Sequence, residues 1–170
     1  MALPAELKNF NLFNDGNSLL GVAESVKPPK LAMKSEDYRA GGMVGPVRLD
    51  KGLDPLDLEW TCSGFDMTPY KQFGNPKVAG IGLRFAGAYQ RADTGGVQAV
   101  EITVRGRHTE IDSGEAKAGE GGKTQVKTAC SYYKLTVDGK VILEIDMLNF
   151  IYIVDGVDLL AEQRKAIGLA

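Results

Sequence analysis

The stretch Leu56-Asp57-Leu58-Glu59-Trp60-Thr61-Cys62 alternates apolar and polar residues without a break. Successive side chains of a strand point to opposite faces. The run therefore reads as a half-buried β-strand with Leu56, Leu58, Trp60 and Cys62 inward and Asp57, Glu59 and Thr61 outward. Gly64 ends it. Further along, Ile81, Leu83, Phe85 and Tyr89 repeat the pattern, as do Val100, Ile102 and Val104, with Glu101, Thr103, Arg105 and Arg107 facing away.

Around these strands lie turn signals. Asn14-Asp15-Gly16 is one, and Asp138-Gly139 is the strongest hairpin turn in the chain. Leu20, Val22 and Val26 recur at even spacing until Pro28-Pro29, which cannot donate to a ladder. Asp66 to Phe73 suits a short helix with Asp66 as N-cap and Gly74 beyond its end. SGEAKAGEGGK (113–123) is a loop too polar for the core. Val126 to Val137 changes parity near Tyr132-Tyr133, as a β-bulge would make it do. A strand is expected from Val141 to Ile153. A C-terminal helix is expected over 155–168, capped by Asp155, with Val157, Leu160, Arg164 and Ile167 on one face. The expectation is a mainly β fold of about seven strands, an antiparallel β-sandwich or barrel, in one domain spanning 1–170.

Residues 30–52, KLAMKSEDYRAGGMVGPVRLDKG, differ from the rest. Charged and apolar residues mix, and Gly41-Gly42 lies at the centre. This pattern predicts a long hairpin that leaves the core, with its tip around Ala40 to Pro46. Its Leu31, Met33, Met43, Val44 and Val47 call for some other surface to pack on. An exposed pair of strand edges invites pairing with another copy. Copies that add edge to edge with a closing rotation give a ring, and stacked rings give a tube.

Composition narrows the function classes. A net charge of −2 lacks the basic excess of a nucleic-acid binder. No apolar run has the length of a membrane helix, so no stable membrane anchoring is expected. The opening MALPAELKNFNLFNDG has no basic region followed by an apolar run, so no signal peptide is expected and synthesis is placed in the cytoplasm. Cys62 and Cys130 stand alone and read as free thiols in the core.

The search for chemistry yields little. His108 is the one histidine and reads as a lone surface residue on a strand. A zinc site needs three or four ligands, and none assemble around it, so no metal or cofactor is expected. Gly121-Gly122-Lys123-Thr124 resembles the end of a phosphate loop, but position 117 is lysine where glycine is required. Gly80-Ile81-Gly82 resembles a dinucleotide turn, but its third glycine would fall on Phe85. Glu101, Glu110, Asp112, Glu144 and Asp146 alternate along strands, and a solvated face explains them more simply than an acid–base pair. No catalytic residues are assigned, and the chain is read as not an enzyme. A β-sandwich ligand-binding module or small hydrolase stays open as a different class; it requires a deep polar pocket.

Five segments carry a family resemblance: LKNFNLFNDGNS (Leu7 to Ser18), PKLAMKSEDYRAGGMVGPV (Pro29 to Val47), LRFAGAYQRADTG (Leu83 to Gly95), VEITVRGRHTEIDSGE (Val100 to Glu115) and NFIYIVDGVDLLAEQRKAIGL (Asn149 to Leu169). In this order they resemble the major tail tube protein of contractile-tailed phages and the related tubes of R-type bacteriocins. The resemblance spans nearly the whole chain and departs softly at 65–78. The resemblance implies a structural subunit of an inner tail tube. Homohexameric rings would stack into a hollow tube that a contracting sheath drives through an envelope, carrying DNA in a phage and ions in a bacteriocin. Implied partners are other copies of the chain, tail sheath protein, baseplate and terminator proteins, a tape measure protein and DNA in the lumen. The chain would be part of the virion tail or of a released bacteriocin particle. A tube or baseplate-adapter protein of a related contractile secretion system is the alternative. On this reading Met33, Tyr38, Arg39, Met43, Val44, Val47 and Arg48 of the hairpin carry contacts between subunits and rings. Glu36, Asp37, Asp57 and Glu59 are candidates for an acidic lumen, whose wall would repel phosphates, or for ring contacts with Arg39, Arg48 or Lys51.

Overall fold

The architecture, taken from a computed structural model, is described for residues 1–169. Among them are twelve strand segments: β1 (Ala5–Asn14), β2 (Asn17–Ser18), β3 (Ala23–Lys27), β4 (Met33–Tyr38), β5 (Val47–Leu53), β6 (Leu56–Ser63), β7 (Ile81–Arg91), β8 (Val97–Asp112), β9 (Lys123–Val137), β10 (Lys140–Asp146), β11 (Ile151–Val154) and β12 (Val157–Asp158). Two short helices, α1 (Thr68–Gln72) and α2 (Ala161–Ala166), complete the chain. The main sheet is antiparallel and runs β12-β11-β10-β9-β8-β7-β1-β2, with β6 joined to β9 and β3 to β6. β4 and β5 form a sheet of their own.

Parity makes the core. One row of paired residues crosses the sheet through Leu12, Phe85, Ile102, Leu135 and Leu143. A second passes through Leu83, Val104, Tyr133, Ile145 and Tyr152. The strand read first from the sequence behaves as expected: Leu56, Leu58, Trp60 and Cys62 are buried opposite Cys130, Thr128, Val126 and Thr124. These residues join a single buried cluster drawn from β1, β6, β7, β8, β9 and β10. The sheet thus bends around one core. Leu19, whose N–H donates to the Leu12 carbonyl at 2.8 Å, leads the chain from β1 across to β3.

The bulge expected near Tyr132 is present. Arg105 pairs with Tyr132 and Gly106 with Cys130, so Ser131 is the extra residue. There the backbones crowd together: a Cβ on Gly106 would lie 1.9 Å from the Ala129 carbonyl oxygen, so the position requires glycine. Asp138 and Gly139 take φ of 49° and 81°, as a primed hairpin turn demands.

Three expectations need correction. The strand expected over Val141 to Ile153 is two strands. Asp146 accepts hydrogen bonds from the N–H groups of Leu148 and Asn149, folding the chain back before β11. The C-terminal helix does not span 155–168. Asp155 and Gly156, at φ 48° and 80°, form a second primed turn between β11 and β12 instead of capping a helix. Val157 is consequently a strand residue, and only six residues of α2 follow. The short helix foreseen at 66–73 shrinks to Thr68–Gln72. Asp66 accepts from the Thr68 N–H but sits one residue before the helix's first flanking position, Met67.

Candidate assembly surface

The hairpin Met33–Leu53 is the most unusual surface of the molecule. Ser35, Glu36, Asp37 and Tyr38 pair with Asp50, Leu49, Arg48 and Val47. Residues opposite each other share a face. One face therefore carries Glu36, Tyr38, Val47 and Leu49, and the other Ser35, Asp37, Arg48 and Asp50. Tyr38, Val47 and Leu49 are each nearly half exposed, and Val44 at the tip is completely so. Three large apolar side chains left this exposed on one face of a hairpin form a surface suited to contact outside the chain.

The tip itself is a hydrogen-bonded turn. Met43 N–H donates to the Ala40 carbonyl at 3.2 Å, and the Arg39 guanidinium donates to the Met43 carbonyl at 3.3 Å. Arg39 and Met43 hold the tip together, while Met33, Tyr38, Val44, Val47 and Arg48 remain outward.

The four candidate carboxylates fall into two groups on different elements. Arg48 lies 3.6 Å from Asp37, and Lys51 lies 3.9 Å from Glu36, within the same hairpin. Asp57 and Glu59 are on the outward face of β6, where Lys127 of β9 reaches both at 3.9 and 4.0 Å. All four therefore have cations within their own chain. Exposed pairs of this kind contribute about 1 kcal/mol or less, so they tune the surface without fixing the fold.

His108 corrects the sequence reading. It is buried, at 5% exposure, where a surface residue was expected. Its Nδ1 lies 2.8 Å from the Thr128 hydroxyl and its Nε2 2.8 Å from Gln72 Oε1. Gln72 also donates to Asn14 Oδ1 and Asp15 Oδ2, both at 2.8 Å, and accepts from Asn14 Nδ2 at 3.0 Å. The Trp60 ring meets the imidazole edge-on at 5.2 Å. This network ties α1 to β1 and β8. Burial pulls the imidazole pKa down to about 4, against a smaller upward pull from Asp15. The signal was available in the sequence: residue 108 has the parity of Val104 and Gly106, which face inward. Only the cover supplied by α1 was not legible.

The cysteines are free and buried, as expected. Burial raises the Cys62 thiol to about 11 and that of Cys130 to about 12, so both stay protonated and unreactive. Gly121–Thr124 leads into β9, and Gly80–Gly82 leads into β7. Neither opens a helix, as a nucleotide-binding loop would. Sequence reasoning missed the closure at the C-terminal end of the sheet. Arg164 of α2 pairs with Asp158 and donates to the Phe150 carbonyl at 2.8 Å, and the Leu159 N–H donates to the Tyr152 carbonyl at 2.9 Å. Hydrogen bonding to Arg164 lowers the Asp158 pKa.

Comparison with known proteins assigns this geometry a context. Residues 4–168 match the family model described as phage tail tube protein FII. The tail tube protein of Escherichia phage P2 is 46% identical over 99% of this chain and all of its own. The major tail tube protein of Serratia phage KSP20 is 41% identical over 99% of each chain. Among solved structures, a chain from the PVC sheath–tube complex in the extended state, part of an extracellular contractile injection system, superposes with a TM-score of 0.58. That match covers 78% of this chain and 91% of the other at 10% identity. A chain from the anti-feeding prophage baseplate gives a TM-score of 0.59 at 12% identity, covering 80% and 97%. The structural likenesses show a shared fold.

Proposed function

This chain belongs to the phage tail tube protein FII family, structural proteins and not enzymes, and from that premise we propose that its copies build a hollow tube through the Met33–Leu53 hairpin. The whole chain acts as one tail-tube domain. Six copies close a ring, rings stack, and the hairpin of one copy seats its Tyr38, Val47 and Leu49 face on a neighbour. The observation that carries this reading is the hairpin itself. It is a separate two-stranded sheet whose apolar face, among the described residues, stays nearly half exposed. An isolated two-stranded sheet is marginal in water, so a hairpin of this length needs a second surface.

The tube is the inner conduit of a contractile tail, surrounded by sheath and ended by baseplate and terminator proteins. A tape measure protein occupies the lumen before delivery. Both relatives are named for phage tails, which favours DNA as the cargo and the virion as the site of function after synthesis in the host cytoplasm. Asp57 and Glu59, opposite the buried face of β6, are the carboxylates best placed to line a lumen. Glu36 and Asp37 then serve contacts at the hairpin.

Purified chain should form rings or filaments as its concentration rises, visible by negative-stain electron microscopy. Deleting Met33 to Arg48 should leave a folded monomer that does not stack. Normal assembly of that deletion would remove the hairpin from the mechanism. A single capped ring with no stacking would favour the adapter function instead.

A further inference from the structure

We propose that residues 64–80, which carry α1, form a hinged flap latched over the core by His108, and that a proton on the imidazole opens it while the sheet stays folded. The segment joins β6 to β7 and packs on β8. Within α1 only Pro69 is buried. Phe65, Met67, Tyr70 and Phe73 all turn apolar surface outward, with Phe65 stacked on Tyr70 at 5.5 Å. Apolar burial therefore does little to hold the segment down. Gly64 and Gly74 flank α1 at φ of 71° and 85°, a left-handed backbone that glycine adopts without strain, so both ends can act as hinges.

Gln72 makes the latch, and Asp15 fixes the polarity of its bonds. An ionised carboxylate only accepts, so the Gln72 group 2.8 Å from Asp15 Oδ2 is the amide nitrogen. The second hydrogen of that nitrogen goes to Asn14 Oδ1. Gln72 Oε1 therefore faces the other way, where it accepts from Asn14 Nδ2 and from the imidazole. His108 must then donate from Nε2, and its Nδ1 accepts from the Thr128 hydroxyl. Every donor and acceptor of the Gln72 side chain is used, and the neutral Nε2–H tautomer completes the set.

Nδ1 is the one place an added proton can go. There it meets the Thr128 hydroxyl, which has to turn its own hydrogen away, and it creates a cation in a buried site. The groups against the ring are neutral: Gln72 of α1, Thr128 of β9 and the edge-on Trp60 of β6. Asp15 alone among the charged groups favours the cation, and it connects to the ring through Gln72. Lys71 of α1, with Arg107 and Glu110 of β8, lies exposed, and Asp66 acts on Cys62 instead. Asp57 and Glu59 of β6 and Lys127 of β9 sit on the outward face of the sheet. Swinging α1 away lets water solvate the imidazolium and leaves the ladders of β8 and β9 in place. The open flap thus binds a proton that the closed flap refuses, and opening grows as pH falls.

Native-state hydrogen exchange of the dilute full-length chain tests the flap. Amides of 66–74 are expected to exchange through an opening less costly than that of the β8 and β9 amides. Dilute urea should not accelerate it, because it exposes little surface. Corrected for the intrinsic pH dependence of exchange, that opening should rise roughly twenty-fold from pH 7 to pH 5. In His108→Gln it should no longer respond to pH. Long-range nitrogen–proton NMR of the single imidazole should place its hydrogen on Nε2. Flap amides that exchange only together with the sheet and with its urea dependence overturn the proposal. So does an opening that ignores pH in the unaltered chain or still follows it in His108→Gln, and so does a hydrogen found on Nδ1.

Discussion

Between pH 6.5 and about 4, acid should weaken this protein chiefly through one buried residue. His108 is the chain's only histidine, and in the folded state its pKa falls from 6.5 to about 4 because the buried imidazole resists charge. In the unfolded chain it titrates near its ordinary value. Between these values the unfolded state binds the proton and the native state does not, so stability rises with pH. The contribution is complete above pH 6.5, falls as pH drops through that value, and levels off below about 4. The depression corresponds to about 3 kcal/mol, a large part of the stability of a domain this size. Asp15, which contacts Gln72, is the one charged group that moderates the shift. Urea unfolding of dilute monomer, followed by the fluorescence of Trp60, measures the loss directly. The chain has no other tryptophan, and its ring touches the imidazole. Proton NMR of the lone imidazole gives its native pKa independently, and His108→Gln should flatten the slope in the same window. Stability that stays level across that window, or an imidazole titrating near 6.5, would show that the burial argument is wrong.

Three more outcomes follow from the geometry. Gly106→Ala forces a Cβ onto the Ala129 carbonyl and should cost roughly 2 kcal/mol or more, read by denaturant unfolding. Gln72→Ala leaves His108 Nε2 and both Asn14 amide atoms without their partner. It should cost about 1–3 kcal/mol and speed amide exchange over residues 65–74 ahead of the sheet. Tyr38→Lys with Val47→Glu, which places opposite charges across the paired positions, should change monomer stability by only about 0.5 kcal/mol, because both residues lie on an exposed hairpin face, yet abolish higher species in sedimentation velocity.

The strands were legible because burial on one face writes a period of two into the sequence. Leu56 to Cys62 and Ile81 to Phe85 carry it without interruption. The parity change at Tyr132-Tyr133 marked a real bulge for the same reason. The C-terminal segment was misread because Val157, Leu160, Arg164 and Ile167 have helical spacing, while Asp155-Gly156 has equally good turn chemistry. Tertiary pairing of β12 with β11 decided between them. His108 was misplaced because its burial depends on Gln72, thirty-six residues away on α1, and the sequence that foreshadows this helix does not say where it packs. Hairpin residues 30–52 stood out by their mixture of charge and apolar side chains. Which edge they meet depends on the free ladders of the folded sheet, and local sequence does not encode those.

Cryo-electron microscopy of concentrated, purified full-length chain bears most directly on whether neighbouring copies finish one another's sheets. Hollow, stacked rings with density for each Met33–Leu53 hairpin continuous with a ladder of the adjoining copy are expected. Isolated particles at every concentration, with that hairpin laid against its own main sheet, would contradict the account.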